Sequence, residues 1–448
     1  MKHAKAVSAQ QLSAFSARYN ESPSRRAMTN AVAKTEIADV TFDNRCLRGD
    51  RFHFSVEIPT LPVTNQERSG RCWIFAGANL LREEVAKACK LDSFELSQNY
   101  IAFWDKFEKC NYYLESVIDL IDRPVDDRTL CWIFSTGVQD GGQWDMFVSL
   151  IEKYGAVPKE AMDETYQSSH TSAMNSLLNT KLHQYAAHLQ KLFRNGADND
   201  ALHAEKDTML REVYCFLCTC LGEPPAVFDF TWTDKDKQYH IDRGLTPQTF
   251  YDKYIKLPLN DYVSVINSPT SDKPFGKTYT VDYLGNVVGG RDILYLNLLV
   301  EELAALTVKQ LQAGQLVWFG SDVSKCGDRK RGIWDSEAFD YASAFELDFS
   351  MEKGAALDYR ESAMNHAMVI TGVELDENGK PVRWKIQNSW SDENGSKGYY
   401  LMSAAWFERY VYQVVIRREH LSEAQRAALD TEPGHLPPWD PMGTLADR

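Results

Sequence analysis

The chain has 448 residues, enough for about three domain-sized units, and its 44% apolar and 25% charged residues are typical of a globular protein. It carries 49 basic and 63 acidic side chains, a net charge of −14, which argues against nucleic-acid partners. No run approaches the ~18 consecutive apolar residues of a membrane helix, and the N-terminus lacks the apolar core of a secretory signal. We therefore expect no membrane association.

The nine cysteines are odd in number and loosely spaced, which predicts a reducing, cytoplasmic setting rather than a disulfide framework. Three of them fall in "CFLCTC", residues 215–220. A structural zinc site usually needs a second pair of ligands, and none follows. Since the flanking residues have helical apolar periodicity, we interpret these cysteines as helix residues and expect no metal.

The predicted elements begin with an N-terminal arm over residues 1–64, which contains a polar helix near 9–35 and then strand-like pieces. The next predicted helices start at Cys72 and at about Ser97, and they end at about Lys90 and Glu108. The Gly-Gly turn at 141–142 leads into a further helix that should stop at Gly155.

Residues 167 to about 245 are predicted to be mostly helical, whereas residues 246–300 show strand-type alternation with turn residues. A helix and then a strand follow in "VKQLQAGQLVWFGSDV", residues 308–323. Two strand-like runs, "HAMVITGVEL" and "RWKIQNSW", flank the turn sequence "DENGKP" and predict a β-hairpin.

The hairpin brings His366 and Asn388 together, because the midpoint of the two positions is residue 377, inside the turn. Directly opposed residues in an antiparallel pair have Cβ atoms about 4.5–5.5 Å apart. The turn type is open, so the pairing could shift by one or two residues.

Cys72 begins its predicted helix, where the helix dipole favours the thiolate, the reactive form of the side chain. His366 could act as its base, and Asn388 could orient the imidazole. The backbone N–H of Cys72 and the side-chain amide of Gln66 could stabilise an oxyanion. Trp390 could shield the His–Asn hydrogen bond from water. Each residue alone is more often structural, but the combination points to acyl transfer.

The sequence around Cys72, "SGRCW", is similar to the C-G-[SA]-C-[WY] signature of papain-like cysteine proteases. "ELSQNY", "DGGQWD", "NHAMVITGV" and "QNSW" follow in the papain order. The chain most resembles the bleomycin hydrolase and bacterial aminopeptidase C family, nearly end to end, including the tail "LPPWDPMG". Two departures stand out. Ser69 replaces a disulfide cysteine of secreted relatives, and Ser391 replaces a common glycine.

The resemblance implies an α+β fold with a papain-like two-lobed core, one lobe helical and one β-barrel-like, with helical and hook-like insertions. It assigns the catalytic roles to Cys72, His366, Asn388 and Gln66. The implied division is an arm (1–64), a helical lobe with the cysteine (65–166), inserted segments (167–300), a β lobe with the histidine and asparagine (301–420) and a C-terminal arm (421–448).

The resemblance also implies that the C-terminal arm enters the cleft and that its terminal carboxylate anchors the substrate's α-amine. Family tails stop near Ala446, whereas this chain continues with Asp447 and Arg448. Our hypothesis is that the two extra residues are trimmed; otherwise the Asp447 side chain could take that role. Gly141, Gly142, Asn365 and Trp390 complete the expected substrate contacts.

The predicted function is that of a cysteine aminopeptidase that removes N-terminal residues from peptides and related amides, with bleomycin-type hydrolysis possible by resemblance. We expect a cytoplasmic homohexamer without a cofactor. Two alternatives stay open: a non-catalytic or nucleic-acid-binding assembly protein, and an endopeptidase with an open groove.

Overall fold

The computed structural model describes residues 4–47 and 52–445. The N-terminal region forms short elements: α1 (Ala9–Asn20), α2 (Pro23–Val32), α3 (Ile37–Thr41) and β1 (Val56–Glu57). The single predicted helix near 9–35 is therefore wrong, because it breaks between Asn20 and Pro23. Ser22 caps the second helix by accepting from the Arg25 N–H, and Pro23 occupies its first position, where proline is favoured.

The helical part that follows contains α4 (Cys72–Cys89), α5 (Gln98–Asp119), α6 (Arg128–Thr136), α7 (Trp144–Tyr154) and α8 (Tyr166–Ser169). The predicted start of α4, its end beside Lys90 and the stop of α7 at Gly155 are confirmed. Lys90 ends α4 in the left-handed conformation. Helix α5, which was predicted to end at about Glu108, is longer, because its apolar face continues as Tyr113, Leu114 and Val117.

The long central segment contains α9 (Ser172–Arg194), α10 (Asn199–Leu221), β2 (Phe228–Thr233), β3 (Tyr239–Leu245), α11 (Pro247–Tyr254), β4 (Tyr262–Ile266), β5 (Lys277–Val281) and β6 (Tyr295–Asn297). The "CFLCTC" cysteines lie on α10, as predicted. The helical prediction is wrong for 228–245, where β2 and β3 pair antiparallel. The strand-type prediction for 246–300 is wrong for 247–254, which forms α11 after the Thr246 cap. In this hairpin Phe230 is buried and stacks on Trp232.

The remaining elements are α12 (Val300–Gln312), β7 (Val317–Ser321), β8 (Gly327–Asp328), β9 (Ile333–Trp334), α13 (Tyr341–Phe345), α14 (Lys353–Asp358), β10 (His366–Leu375), β11 (Pro381–Gln387), β12 (Tyr399–Ser403), α15 (Ala404–Tyr410), β13 (Val411–Arg417), α16 (Glu423–Leu429) and β14 (Gly434–Leu436). The predicted helix and strand in 308–323 are confirmed by α12 and β7.

One mixed sheet runs through the second half of the molecule in the order β14-β5-β6-β4-β13-β7-β10-β11-β12-β9-β8, with β1 added on β10. The path does not close on itself among the described strands, so the expected barrel-like lobe is an open sheet here. Within the same ranges, no helix combines the length and apolar character needed to cross a membrane.

Two apolar cores meet along β10. One core contains the helices α4, α5, α7, α9 and α10, and the other contains α12, α15 and one face of the central strands. Ala367 and Val369 belong to the helical core, whereas Met368 and Ile370 belong to the sheet core. The two-residue period of a strand therefore divides β10 between both cores. Since Cys72 starts α4 and His366 starts β10, the candidate site lies where the cores join.

Candidate active site

Cys72 is the first residue of α4 and is fully buried. Arg71, the residue before it, occupies the N-cap position. Its backbone is non-helical, and its side chain makes no capping hydrogen bond. The first N–H groups of a helix have no partner within the helix, and they carry the positive end of its dipole. The sulfur therefore lies where backbone chemistry favours an anion.

Gln66 lies in the loop that leads to Cys72 and is buried. Its Nε2 donates to the Ser69 carbonyl at 2.7 Å, and its Oε1 accepts from the Ser389 hydroxyl at 2.6 Å. The backbone N–H of Gln66 also donates to the Ser389 carbonyl at 2.9 Å. These bonds fix the amide between the loop before Cys72 and the residue after Asn388. The predicted oxyanion role of Gln66 remains a prediction.

His366 is the first residue of β10, and its Nε2 lies 2.9 Å from the Asn388 Oδ1. The same oxygen accepts from the Ser389 N–H at 2.8 Å, so Asn388 presents its carbonyl to both donors. An amide oxygen can only accept, and Nε2 must therefore carry the proton. In the neutral ring the lone pair is then on Nδ1, the nitrogen that a general base would use.

The predicted hairpin is confirmed, but its predicted pairing is shifted by two residues. Val369 pairs with Gln387 and Ile370 with Ile386, so His366 lies beyond the last paired residues. The turn spans 376–380, and β10 has irregular pairing between Ile370 and Gly372 and again before Leu375. The side chains of His366 and Asn388 meet diagonally rather than directly across the pair.

Cys72 and His366 come together through the backbone of β10. The N–H of Ala367, the residue after His366, donates to the Cys72 Sγ at 3.5 Å. The indole of Trp318 on β7 donates to the Trp73 carbonyl at 3.3 Å, which ties the first turn of α4 to the sheet. Residues 294 positions apart in the chain are thus held side by side.

Trp390 covers the other side of the histidine. Its ring lies 4.6 Å from the His366 ring, centroid to centroid. The guanidinium of Arg329 lies 4.3 Å above the same indole. The indole therefore lies where the predicted shield of the His–Asn hydrogen bond would have to be, and its effect on water remains a prediction.

Asp140 is a residue of the site that the sequence reasoning missed as a functional group. One carboxylate oxygen accepts from the Gly70 N–H at 2.8 Å, and the other lies 2.6 Å from the Lys106 ammonium. Burial would raise the pKa of this carboxyl, but Lys106 and the hydrogen bonds from Asn175 and Thr171 hold it well below its usual range. Asp140 is therefore an anion that positions the loop two residues before Cys72. The sequence feature that could have identified Asp140 is its position at the start of the motif "DGGQWD".

Gly141 and Gly142, the predicted substrate contacts, follow Asp140 in the same loop. The Gly141 carbonyl accepts from the Lys109 ammonium at 2.6 Å. A Cβ on Gly142 would lie 2.4 Å from the Trp73 indole, so only glycine fits there. The loop therefore packs directly on the residue after Cys72, and its binding role remains a prediction.

Asn365, another predicted contact, is held by a second missed residue, Asp322. The Asn365 amide donates to Asp322 at 2.6 Å, and its oxygen accepts from the Val323 N–H at 3.1 Å. Asp322 also accepts from the Ser362 hydroxyl at 2.7 Å. Asp322 follows Ser321, which pairs with His366 across β7 and β10. That pairing is the signal that could have identified it, but it required the sheet order.

The C-terminal arm reaches this cleft. Asp440 forms a buried ion pair with Lys273 at 2.9 Å, and the Thr444 carbonyl accepts from the Gln143 amide at 2.6 Å. Thr444 and Leu445 line a cavity of about 930 Å³ together with Asn365. Ala446 and Asp447, the predicted amine anchors, lie outside the described residues.

Comparison with known proteins identifies the family. Residues 6–443 match the model of the Peptidase C1-like family. The chain belongs to the Peptidase C1-like family. It is similar to Aminopeptidase C of Streptococcus thermophilus, with 47% identity over 89% of both chains. It is also similar to Aminopeptidase C of Listeria innocua, with 44% identity over 97% of this chain and 98% of that one.

Among solved structures, PepW from Lactobacillus rhamnosis superposes on this C1-like chain with a TM-score of 0.97 and 46% identity. The match covers 98% of this chain and 99% of PepW. The resemblance found in the sequence is therefore confirmed at the level of family and of fold. The chain is a papain-like peptidase.

Proposed function

We propose that the protein is a cysteine aminopeptidase. The observation that carries this proposal is the alignment of Cys72 at a helix start with His366 and Asn388. The Cys72 sulfur attacks the first carbonyl of a peptide while His366 takes the thiol proton. His366 then protonates the departing amine, and water hydrolyses the acyl-enzyme. The similarity to proteins named Aminopeptidase C supports the same activity.

The other roles follow from the contacts of the site. Asn388 fixes the imidazole through Nε2, and the helix-start N–H of Cys72 together with Gln66 stabilises the oxyanion. Trp390 restricts water near this pair. Gly141, Gly142 and Asn365 contact the substrate backbone on the side where the C-terminal arm lies. No metal or organic cofactor takes part in this scheme.

The preference for a free N-terminus comes from the C-terminal arm. The arm is supported along its length by β14 on β5, by the Lys273–Asp440 ion pair and by the Gln143–Thr444 hydrogen bond. A terminal carboxylate placed one residue beyond Leu445, after removal of Asp447 and Arg448, would bind a protonated amine through charge-assisted hydrogen bonds. If the chain is not trimmed, the Asp447 carboxylate takes this role. Intact-mass measurement of the mature protein distinguishes the two forms.

We also propose that the enzyme assembles as a cytoplasmic homohexamer. The N-terminal helices expose apolar side chains, among them Leu12 and Phe15, and Leu347 and Phe349 are exposed as well. Exposed apolar groups of this kind are typical of association surfaces. Native mass spectrometry tests the assembly, and a monomer at micromolar concentration would contradict it.

The decisive experiment compares an aminoacyl-coumarin amide with its N-acetylated form. The parent should cleave only the free-amine substrate, and Cys72→Ala should cleave neither while keeping its circular dichroism spectrum. Deletion of residues 445–448 should lower the preference for the free amine. Equal cleavage of both substrates by the parent would instead support the endopeptidase alternative, and no cleavage by the parent would support a binding protein.

A further inference from the structure

The site adjoins two cavities, which share Ser324 in their lining. On the arm's side, Thr444 and Leu445 line the cavity that also contains Asn365. The second cavity, a groove of about 480 Å³, is lined by residues 66–70 of the loop before Cys72 and by Val323, Ser324, Arg329 and Trp390. We refer to these nine residues as the leaving-side groove. Under the proposed function the C-terminal arm occupies the first cavity, so the peptide beyond the scissile bond extends into this groove.

Two exposed arginines line the leaving-side groove, Arg68 and Arg329, and the position of Arg329 over Trp390 suggests a ligand beside His366. Its guanidinium lies 4.3 Å above the Trp390 ring. Within the described part of the chain it forms no ion pair; the neighbouring Asp328 is bound by Arg331, and the Tyr400 hydroxyl interacts with the guanidinium. A stacked guanidinium keeps its fork of N–H donors available and partly ordered, which suits a carboxylate.

The distance from the reaction centre limits where such a carboxylate lies in the substrate. The Trp390 ring is 4.6 Å from the His366 ring, so the guanidinium lies within about 9 Å of the imidazole. An extended residue spans about 3.5 Å. A carboxylate carried by the first or second residue after the scissile bond would therefore reach Arg329.

We propose that Arg329 selects substrates with a carboxylate one or two residues beyond the scissile bond, and that Trp390 holds it in position. The favoured substrates are short peptides with a free C-terminus, or peptides with an acidic side chain at that position. This inference rests on the proposed aminopeptidase function, which defines the leaving side. In a chain that is acidic overall, Arg329 thus provides a local positive charge for the carboxylate of the substrate.

The test measures kcat/KM for alanyl-alanine and for alanyl-alanine amide, which differ only in the terminal carboxylate. The parent should prefer the free acid by about twofold to fivefold, as expected for an exposed ion pair, and the preference should weaken in 0.5 M salt, where the Debye length is only about 4–5 Å. Arg329→Gln should bring the ratio close to one. Lys330→Gln is the matched control, because Lys330 is the next residue, is exposed and does not line the groove, and it should keep the parent ratio.

Alanyl-glutamate amide and alanyl-glutamine amide distinguish the two sources of the carboxylate. A loss by Arg329→Gln confined to the free acid assigns the terminal carboxylate, and a matching loss for glutamate over glutamine assigns a side-chain carboxylate; both support the proposal. A parent without any acid preference overturns it. So does an Arg329→Gln variant that slows all substrates in proportion, since that result indicates only a displaced Trp390. Failure of the parent on an alanyl-coumarin amide would contradict the aminopeptidase function itself.

Discussion

The two walls of the cleft hold their functional residues by different means. The helical wall carries Cys72 at the end of an irregular loop, and buried ions surround that loop. The sheet wall carries His366 on a strand whose backbone pairs with β7 and β11. The N–H and C=O groups of an irregular loop have no partners in a neighbouring strand. Side chains must therefore supply their hydrogen bonds. Buried ionic side chains thus hold the loop before Cys72, whereas backbone hydrogen bonds between strands hold His366.

On the helical wall the ions are paired. Lys106 and Lys109, both on α5, bind Asp140 and Asp105 at 2.6 and 2.7 Å, and the Arg71 guanidinium binds Glu164 at 2.9 Å. On the sheet wall, the donors that the described residues provide to the buried carboxylate of Asp322 are neutral, among them Asn365 and Ser362. The buried carboxylate of Asp140 is therefore balanced by a cation, whereas that of Asp322 is stabilised by neutral hydrogen-bond donors.

The largest expected effect comes from breaking one pair on the helical wall. Lys106→Met leaves the Asp140 carboxylate buried without its cation, which should cost about 3–5 kcal/mol in the free energy of unfolding. The double variant Lys106→Met/Asp140→Asn should recover part of the loss, because it removes both charges. Urea denaturation of the parent and both variants measures these effects.

The matched change on the sheet wall is Asp322→Asn, which removes a charge that has no cationic partner in the ranges 4–47 and 52–445. It should cost less, about 1.5–3 kcal/mol, the usual range for hydrogen bonds to a charged group. A larger loss for Asp322→Asn than for Lys106→Met would contradict the distinction between the two walls.

A pH-dependent effect follows from Asp145 on α7. Burial raises the pKa of this carboxyl to about 6, although Arg291 lies 3.1 Å away and opposes the shift. The folded protein thus keeps a proton that the unfolded chain loses near pH 4, and the stabilising contribution is lost as the pH rises to about 6. Asp145→Asn should reduce this fall by up to about 3 kcal/mol.

The measurement is the free energy of unfolding at intervals from pH 4 to 8 for the parent and for Asp145→Asn. The exposed Asp252→Asn variant serves as the control and should keep the parent's pH dependence. If both variants follow the parent curve, Asp145 does not titrate in this range.

The contribution of the His366–Asn388 hydrogen bond on the sheet wall can be measured through enzyme activity. Asn388→Ala removes the acceptor at Nε2 and leaves the ring's orientation to Trp390 alone. We expect kcat to fall about 10²-fold with little change in KM, at the lower end of the contribution of acid–base catalysis. Steady-state kinetics on the free-amine coumarin substrate measure the effect. Asn378→Ala, at the exposed tip of the same hairpin, should retain parent kinetics.

Sequence reasoning succeeded where short-range patterns carry the structure. The start of α4 at Cys72 and the hairpin around "DENGKP" are local, and both were predicted. The pairing was off by two residues because irregular pairing within β10 and the length of the turn cannot be read from composition. The β2–β3 hairpin was missed although "FDFTWT" alternates apolar and polar residues, because the preceding helical pattern was extended through it.

The ionic supports of the site were beyond such reasoning. Lys106 and Asp140 are 34 positions apart, and nothing in either segment specifies the other as its partner. Asp322 becomes relevant only once β7 is known to lie beside β10. The motifs therefore identify the candidate reactive groups, while the residues that position them depend on tertiary packing.

The smallest expected effect concerns the loop that carries Trp390 on the sheet wall. Ser391, the residue after Trp390, has a φ of 63°, the left-handed region that glycine adopts at little cost. Ser391→Gly should therefore stabilise the fold by up to about 1 kcal/mol, because relief of strain outweighs the added freedom of the unfolded chain. The same substitution at Ser396, an exposed residue of this loop without a positive φ, should destabilise by about 0.5–1 kcal/mol. Thermal unfolding of the two variants compares them directly, and a change of the same sign in both would show that strain at Ser391 is not what distinguishes this loop.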